Sequence, residues 1–285
     1  MQRFVQFLLA IAILGLIGFT FSGNNFSAKK EQTDLEAWFF DVGQGDAILL
    51  DSPQNQQVLI DGGPSGVRIK AELIKAVGVT DREIDLVIIS HNHSDHIGGL
   101  KQVFSDYTVK AVWISGAVHT TDTFLELLEI IKAKNIRTET ALVGKKAEFG
   151  LLKGTVLTPF ENFTKITPVD QHDANVTTLW QYGQTSIILT GDMEQDLEQR
   201  LLARNLISQT DIIKIGHHGS RTSSSIDFLK KLKPSLAIIQ VGENNRYDHP
   251  HPEIIERLKN LKIPILRTDL NQTIKININE QSFSY

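Results

Sequence analysis

Three histidines and an aspartate crowd into one short stretch of this 285-residue chain, His91-Asn-His93-Ser-Asp95-His96. The whole chain holds nine histidines, so three of them within six residues is a marked concentration of metal-binding side chains. In an extended segment His91 and His93 point to the same side and can reach one cation, whereas Asp95 and His96, on the turn that follows, can face a second. Imidazole and carboxylate ligands suit Zn and also Mn or Fe. The plainer alternative is a solvated polar loop, which has no reason to gather such donors directly after a buried strand.

Two later segments extend this candidate site. Asp192 follows the predicted strand at 187–189 through Thr-Gly and opens a helix, where it serves either as the helix N-cap or as a carboxylate that bridges two metals. Beside the histidine cluster we favour the bridge. His217 and His218 end the predicted strand at 212–215, and because adjacent residues of an extended chain point apart, one can complete the second metal while its neighbour faces the substrate.

Charged residues around these motifs have weaker signals. Asp61, in Asp-Gly-Gly at the end of an early strand, is either part of a turn or a hydrogen-bond partner of a ligand histidine. Lys214 and Arg221 flank the histidine pair and can hold a neighbouring phosphate. Simple exposure to solvent is the alternative, with at least equal weight for Lys214.

The elements that must position these residues alternate along the chain. Residues 85–90 form a continuous apolar run of the kind that is buried on both faces of a sheet. Short strands in small groups, with amphipathic helices between them, run from about Leu35 to the C-terminus. Such a sequence predicts an α/β (α+β) protein in which helices cover the outer faces of the sheets.

Composition excludes several classes of protein. Lys and Arg number 29 against 33 Asp and Glu, with 41% hydrophobic residues, which is an ordinary globular balance. The absence of cysteine excludes disulfides, cysteine-zinc sites and thiol nucleophiles. A net charge of -4 argues against broad electrostatic adhesion to nucleic acid and leaves room for a local basic groove.

The N-terminus predicts a membrane or export segment. Residues 4–21 form an apolar run of 18 residues with two clearly polar members. At about 1.5 Å per residue this run just crosses a hydrocarbon core of about 30 Å. We therefore expect a hydrophobic helix at residues 1–22, favoured as a single-pass anchor of the cell membrane with the body outside the cytoplasm, over a cleaved signal peptide and a secreted protein. Residues 23–34 follow as a flexible tether, and residues 35–285 form the folded body.

Taken together, the HxHxDH run, the later Gly-Asp and the final histidine resemble the metallo-beta-lactamase superfamily. Further segments resemble, within it, the hydrolase domain of the ComEC type of competence DNA-uptake proteins. These segments are Asp41-Val-Gly-Gln-Gly-Asp46, Asp61-Gly-Gly63, Ser90 to Gly99, Gly191-Asp192, Lys214 to Ser220 and Asn245 to Pro250. The resemblance covers nearly the whole body and implies an αββα sandwich with its metal site at one edge of the two sheets.

Carried over residue by residue, the resemblance implies a dinuclear site. Its ligands are His91 and His93 on the first metal, Asp95 and His96 on the second, Asp192 between them, and His218, or His217 as the alternative, on the second. His172 either reaches in as a third ligand of the first metal or is a surface histidine. Residues expected to support a ligand or touch the substrate are Asp46, Asp61, Ser220, Arg221 and His249.

The expected chemistry follows from this ligand set. Two divalent ions about 3.5–4 Å apart can activate a shared water and clamp the oxygens of an in-line displacement. Asp95 is the expected catalytic residue, because it can orient that water and accept its proton. A phosphodiester suits a site with so much positive charge. We therefore expect a metal-dependent hydrolase, with Zn as the first choice and Mn as the alternative, that cleaves phosphodiesters and most readily DNA, with no protein partner predicted.

Three other functions compete with a DNA nuclease. A small phosphodiester of the phosphocholine type, or a lactam or ester bond, would use the same activated water. The resemblance concerns the hydrolase domain of those DNA-uptake proteins and not their membrane channel, so it does not by itself imply uptake. A non-catalytic binding protein is the weakest alternative, because it predicts lost ligands whereas every donor of the motifs is present.

Overall fold

Two β-sheets stacked face to face carry the donors identified from the sequence. The computed structural model describes residues 32–285. The predicted hydrophobic helix at residues 1–22 and most of the predicted tether at 23–34 lie outside the described residues, and both assignments stay predictions. Within residues 32–285, no helix combines the length and the apolar character needed to cross a membrane.

The first sheet has eight strands, part antiparallel and part parallel. They are β1 Leu35–Phe39, β2 Ile48–Asp51, β3 Gln57–Ile60, β4 Glu83–Ile88, β5 Thr108–Ile114, β6 Arg137–Thr140, β14 Ile274–Ile278 and β15 Phe283–Ser284. In space they follow the order β15-β14-β1-β2-β3-β4-β5-β6. The strands from β3 to β6 run parallel to one another, and the other neighbours are antiparallel.

The second sheet repeats this plan with seven strands. They are β7 Lys146–Phe149, β8 Leu152–Thr158, β9 Thr177–Tyr182, β10 Thr185–Leu189, β11 Ile212–Lys214, β12 Leu236–Ile239 and β13 Ile265–Arg267. Their order is β13-β12-β11-β10-β9-β8-β7, with β10 to β13 parallel and the rest antiparallel.

Helices connect the parallel strands and cover the outer faces. In the described part of the chain the α-helices are α1 Gly66–Val77, α2 Ser94–Ile97, α3 Leu100–Asp106, α4 Asp122–Ala133, α5 Gln195–Ala203, α6 Ile226–Leu232, α7 Pro252–Asn260 and α8 Thr268–Asn271. Two short 3₁₀ segments, Gln171–Ala174 and Gly216–Gly219, lie in loops between strands of the second sheet.

Three apolar clusters hold the layers together. The central one lies between the sheets, where Phe39 and Ile88 of the first sheet are buried in the same cluster as Trp180 and Ile212 of the second. A second cluster joins α1, α3 and α4 to the outer face of the first sheet, and a third joins α5, α6 and α7 to the outer face of the second. The layers are therefore helix, sheet, sheet, helix, and the predicted αββα sandwich is confirmed.

Four strands were not found by the sequence analysis, namely β6, β7, β13 and β15. Each is short, and each is only partly buried or exposed along its length. At the margin of a sheet a strand packs on few neighbours and needs few apolar residues, so the alternation that reveals a strand is weak. These strands lie away from the centre of each sheet and carry no candidate site residue.

The parallel halves of the two sheets bring their carboxyl ends together at one edge of the sandwich. Asp61 directly follows β3, and His91 comes three residues after β4. In the second sheet Asp192 comes three residues after β10, and His217 three residues after β11. Loops at the carboxyl ends of parallel strands are the usual place for a binding site in open sheets, because the strand order lets them converge there.

The loop after β3 and the start of α3 touch through their backbones. The amide of Gly62 donates to the carbonyl of His96 at 2.7 Å, and the amide of Gly99 donates to the carbonyl of Gly63 at 2.8 Å. A Cβ added to Gly99 would lie 2.0 Å from the Gly62 carbonyl oxygen. Only glycine at this position allows the two loops to meet.

We expect Gly99→Ala to lower the free energy of unfolding by about 2–3 kcal/mol, the cost of forcing an extra carbon into a packed backbone contact. Urea denaturation followed by circular dichroism measures this loss. Ser105→Ala, at an exposed position of the same helix α3, is the matched control and should stay within about 0.5 kcal/mol of the unaltered chain. Equal midpoints for the two variants would show that the loops separate without cost.

Candidate metal centre

Eight side chains from the loops of both sheets converge at this edge of the sandwich. They are His91, His93, Asp95 and His96 from the first sheet, and His172, Asp192, His217 and His218 from the second. All eight were singled out from the sequence. Their nitrogen and oxygen atoms fall into overlapping groups in which each donor lies within 4.8 Å of the others.

The first group holds three imidazoles. His91 Nε2 lies 3.0 Å from His93 Nδ1. The ring of His172 has its centroid 5.3 Å from that of His91 and 4.9 Å from that of His93. The sequence left His172 open between a ligand and a surface residue, and the structure brings it to the other two. Three imidazole nitrogens at this spacing suit one divalent ion.

The second group joins Asp95, His96, Asp192 and His218. His218 Nε2 lies 3.4 Å from Asp95 Oδ2 and 3.5 Å from Asp192 Oδ2. His96 Nε2 lies 3.4 Å from Asp192 Oδ1 and 3.9 Å from Asp95 Oδ2. Two nitrogens and two carboxylates therefore face one another across a space that a second ion would fit.

Asp192 lies between the two groups. Its Oδ2 is 3.8 Å from His91 Nε2 on one side and 3.5 Å from His218 Nε2 on the other. Helix α5 begins at Gln195 with Glu194 as its N-cap residue, so Asp192 neither opens this helix nor caps it. The N-cap alternative is wrong, and the carboxylate is left facing both groups of donors.

The imidazoles are held by their outer nitrogens. The Nδ1 contacts are His91 to Ser90 Oγ at 3.1 Å, His96 to Asp61 Oδ2 at 2.7 Å, His217 to Glu194 Oε1 at 3.1 Å and His218 to Gln240 O at 3.0 Å. A partner on Nδ1 fixes the ring orientation and leaves Nε2 as the free donor, which is how metal-binding histidines are commonly supported. The contact with His96 is the one expected for Asp61.

Ser90 ties Asp61 to the start of the histidine motif. The Ser90 amide donates to Asp61 Oδ1 at 2.8 Å and its hydroxyl donates to Asp61 Oδ2 at 2.6 Å. The Asp61 side chain is fully buried, and burial raises the pKa of its carboxyl even though His96 and Ser90 act in the opposite direction. The loop after β3 thus supports the ligand loop after β4.

His217 and His218 are not extended, which corrects the sequence-based argument about them. Both have left-handed backbone conformations, with φ of 47° and 53°. Both Nε2 atoms turn towards Asp192 Oδ2, at 3.7 Å for His217 and 3.5 Å for His218. His218 belongs to the group of Asp95, whereas His217 lies beside His172, with ring centroids 4.6 Å apart.

The electrostatics of the centre favour positive charge. Burial alone lowers the pKa of His96, but the carboxylates of Asp192, Asp61 and Asp95 raise that pKa well above its usual value. The pKa of His218 rises to about 9 for the same reason, with Asp192 as the main acidic neighbour. Excess negative charge of this kind is what a bound cation would neutralise.

His91 has the opposite shift. Burial and the neighbouring His96 lower the pKa of His91 well below its usual value, so its ring is neutral at neutral pH. Burial likewise lowers the pKa of His93. The neutral imidazole is the form that binds a metal, so these two rings are ready to do so without losing a proton.

Lys214 is neither a phosphate contact nor a surface residue, so both sequence-based readings of it are wrong. Its side chain is fully buried, and its Nζ lies 2.5 Å from Asp46 Oδ2 and donates to the Gly191 carbonyl at 2.8 Å. Burial alone raises the pKa of Asp46, but Lys214 and His218 hold that pKa below its usual value. The buried ion pair therefore contacts two residues of the centre, since Lys214 Nζ lies 3.8 Å from Asp192 Oδ1 and Asp46 Oδ1 lies 3.4 Å from His218 Nδ1.

A cavity of about 350 Å³ opens over the donors. Asp95, Asp192 and His218 lie in its wall, as does His249, the predicted substrate contact. Sequence analysis missed five further wall residues, Gln44, Ser94, His119, Thr121 and Tyr247. Gln44 lies inside the Asp41–Asp46 segment and Tyr247 inside the Asn245–Pro250 segment, whereas the surroundings of His119 and Thr121 gave no signal.

Ser220 and Arg221 are not in the wall of this cavity. Ser220 Oγ lies 3.0 Å from the hydroxyl of Thr222, which donates to Glu194 Oε1 at 2.6 Å, so Ser220 supports His217 indirectly. Arg221 is exposed, and its backbone amide donates to His251 Nδ1 at 3.0 Å. Its predicted contact with substrate has no support from its position.

Asn175 positions Asp192 and was missed as a functional residue. Its Oδ1 accepts from the Asp192 amide at 3.0 Å, and its Nδ2 donates to the Thr190 carbonyl at 2.8 Å. Gly191 has a φ of 53°, and a Cβ there would lie 2.5 Å from Asn175 Oδ1. Glycine before Asp192 is thus required by both conformation and space.

The residues present fit a pair of divalent ions. Within residues 32–285, several buried donor atoms of the centre have no hydrogen-bond partner, among them His96 Nε2, His172 Nε2, His218 Nε2 and Asp192 Oδ1. Buried polar atoms without partners are rare because they cost free energy. Their convergence on one space, with imidazole and carboxylate chemistry, is the arrangement that a dinuclear site requires.

Comparison with known proteins gives consistent results. Residues 40–242 match the metallo-beta-lactamase superfamily. The chain is 29% identical to ComE operon protein 3 of Bacillus subtilis over an alignment of 258 residues. This alignment covers 84% of this chain and 32% of that protein. The chain is 26% identical to Competence protein ComA of Neisseria gonorrhoeae over an alignment of 272 residues, and this alignment covers 94% of this chain and 35% of that protein. The chain therefore spans about a third of the length of these relatives.

A solved structure shows the same fold. The metallo-beta-lactamase fold protein YhfI from Bacillus subtilis superposes with a TM-score of 0.57 at 13% identity, covering 85% of this chain and all of that one. At this identity the likeness concerns the fold alone.

Because Asp61 orients the ring of His96, removing the Asp61 side chain should weaken metal binding. We expect Asp61→Ala to weaken metal binding about tenfold to hundredfold, because His96 loses the partner that orients its ring. Asp61→Asn keeps an acceptor without the charge and should lose less. Competition with a coloured chelator measures both affinities, with the exposed Asp122→Asn as control. Unchanged affinity in a folded Asp61→Ala variant would contradict this role.

The buried pair of Lys214 and Asp46 predicts strong coupling in stability. Lys214→Met leaves the Asp46 carboxylate buried without its partner and should lower the free energy of unfolding by about 3–5 kcal/mol. Adding Asp46→Asn removes that charge, so the double variant should regain a large part of the loss. Urea denaturation of the two single variants and the double variant completes the cycle. Additive losses would show that the two residues do not depend on each other.

Proposed function

The chain belongs to the metallo-beta-lactamase superfamily, and we propose that it is a metal-dependent phosphodiesterase that cleaves DNA. The resemblance inferred from its motifs is thereby confirmed at the level of the family. The fold of this family implies divalent metal ions at the cluster of histidines and aspartates. We propose zinc as the first occupant and manganese as the alternative, since nitrogen and carboxylate donors accept both.

The position of Asp192 carries this proposal. A buried carboxylate between three imidazoles on one side and two imidazoles with Asp95 on the other is the geometry of a bridge between two ions. We propose His91, His93 and His172 as ligands of the first ion, and Asp95, His96 and His218 as ligands of the second. His217, beside His172, faces the same carboxylate and supports the first side.

The chemistry of the bound ions is that of phosphoryl transfer. A pair of divalent ions lowers the pKa of a water molecule and neutralises the charge that gathers on phosphoryl oxygens during displacement. Asp95 lies in the cavity wall with 29% of its side chain exposed. His96 and His218 hold the pKa of Asp95 far below its usual value although burial raises it, so its carboxylate is ionised and can accept a hydrogen bond from the attacking water.

Similarity to competence proteins supports DNA as the substrate. Both relatives above have names that belong to competence, and each aligns over more than four fifths of this chain. The Asp41–Asp46 and Lys214–Ser220 segments, which first indicated this branch, meet at the metal centre: Asp46 and Lys214 form their buried ion pair, and His217 and His218 belong to the donor groups. No specific observation favours a lactam, an ester or a small phosphodiester over DNA.

Cleavage of end-labelled DNA tests the proposal. The chain, loaded separately with Zn and Mn, should degrade single-stranded or double-stranded DNA and lose this activity with a chelator. Asp192→Ala removes the ligand shared by both ions, so we expect its rate to fall by at least about a thousandfold, in line with several kcal/mol of metal stabilisation.

Controls separate this activity from a contaminating nuclease. Asp227→Ala, at an exposed position of α6, is purified identically and should retain full activity. Cleavage that persists in Asp192→Ala would come from a contaminant. No cleavage by folded, metal-loaded protein would overturn DNA as the substrate and make phosphocholine-type esters the next class to test, before lactams and lactones.

A further inference from the structure

The loop after β12 carries an aromatic residue to the rim of the metal cavity. Tyr247 and His249 lie in the wall of the cavity over the metal centre. Tyr247 is 46% exposed, which is high for a large aromatic side chain beside a buried centre. The loop therefore places an accessible aromatic ring beside the metal centre.

The loop is fixed by one side chain. Asn245 donates from Nδ2 to the carbonyls of Gly242 at 3.0 Å and His249 at 2.7 Å. Its Oδ1 accepts from the amides of Tyr247 at 3.1 Å and His249 at 3.0 Å. Four hydrogen bonds from one side chain hold the loop in a single shape. The aromatic rings are therefore presented in a fixed position and lose little freedom when a ligand binds.

The rings of His217, His249 and Tyr247 form a tier, a row of neighbouring rings that leads from the metal centre to the rim of the cavity. The ring of His249 lies 5.6 Å from that of His217 and 5.7 Å from that of Tyr247. The planes of Tyr247 and His249 are 25° apart, a stacked arrangement. The guanidinium of Arg246 lies 4.9 Å from the centroid of the Tyr247 ring, donates from Nη2 to the Tyr247 hydroxyl at 2.6 Å, and is itself exposed.

A second cavity extends the metal cavity along this tier. It has a volume of about 340 Å³ and is lined by Arg246 and Asn245 together with residues that also line the first cavity, Gln44, Asp95 and Tyr247. Gln44 lines both cavities, and its Nε2 is buried without a hydrogen-bond partner. A ligand that reaches the metal centre through the first cavity can therefore extend past Tyr247 to the guanidinium of Arg246.

We propose that Tyr247, backed by His249, stacks the base of an unpaired nucleotide next to the scissile phosphate, and that Arg246 moves off the ring to contact a flanking phosphate. This inference rests on the proposed phosphodiesterase function and adds to it the class of substrate, which is single-stranded DNA. An aromatic face recognises any base, but only when that base is not paired inside a duplex. Single-strand sites combine positive side chains that contact the backbone with aromatic rings that stack bases, and the rim presents Arg246 and Tyr247 for these two roles.

Cleavage kinetics on two matched single strands, one with bases and one without, test the stacking site. Full chain loaded with Mn is assayed on single-stranded oligothymidylate and on the same strand with abasic residues. We expect Tyr247→Ala to raise KM for oligothymidylate about fivefold to hundredfold, the fold-change that corresponds to loss of one stacked base. Tyr247→Trp keeps a ring and should stay close to the unaltered chain. Tyr285→Ala removes another exposed tyrosine, at the far end of the first sheet, and serves as the control.

The abasic strand separates stacking from general damage. If Tyr247 binds a base, the unaltered chain loses affinity on the abasic strand and Tyr247→Ala loses little more, because the partner is already absent. For Arg246→Ala, the slope of log Kd against log salt, measured by anisotropy with a labelled oligothymidylate, should become shallower by about 0.7, the value for one phosphate contact on a single strand.

The outcomes distinguish the two levels of the proposal. Cleavage of no phosphodiester by the unaltered chain overturns the proposed function and this site with it. Cleavage of single-stranded DNA with equal KM for Tyr247→Ala and the unaltered chain overturns the stacking site alone. The stacking site is also overturned if Tyr247→Ala raises KM equally on the normal and the abasic strand. A marked preference of the unaltered chain for duplex DNA overturns it as well.

Discussion

A buried carboxylate surrounded by imidazoles is the constraint on which this structure depends. Asp192 is almost fully buried, and it faces nitrogen donors from both sheets. Removing a carboxylate from water is costly unless nearby positive charge and hydrogen bonds compensate it. Here the amide of Asp192 is tied to Asn175, Lys214 lies 3.8 Å from Oδ1, and the histidines supply the rest. Burial alone raises the pKa of Asp192, but His218, His96 and His91 hold that pKa well below its usual value.

Pairs that cross between the sheets hold the centre together. Lys214 of the second sheet meets Asp46, which precedes β2 of the first. Gln240, which follows β12, donates to the carbonyls of Phe40 at 3.2 Å and Ala47 at 3.0 Å, on the other sheet, and accepts from His218 through its own carbonyl. A ligand histidine is thus connected to both sheets by one residue. The loops of the centre form a single polar network at the end of an apolar sandwich.

The sequence was informative where the chemistry is local and weak where the fold brings distant residues together. His91 to His96 could be identified because six consecutive residues contain half of the donors, whereas the closeness of His172 to His91 depends on the loop before β9. Lys214 was misjudged although its strand offered a signal: β11 lies in a run of apolar residues with no exposed face, and a lysine within such a strand has to be buried beside an acid.

Backbone conformation was the other limit. Adjacent residues of an extended chain point apart, but His217 and His218 have left-handed φ values, and no pattern of residue types predicted that. Tyr247 was missed for a related reason, because its position depends on four hydrogen bonds that Asn245 makes within its own loop. The family could be recognised from short motifs, while the wall of the cavity required coordinates.

The division of the donors between two sheets gives the apolar core a second role. Because His91, His93, Asp95 and His96 move with one sheet and His172, Asp192 and His218 with the other, the thickness of the packed layer between the sheets sets the gap across which a metal pair is held. A smaller residue at Trp180, in the core between the sheets, would narrow this gap. The choice between metal ions of different radius is thus open to tuning from the interior of the sandwich, without replacing a single ligand.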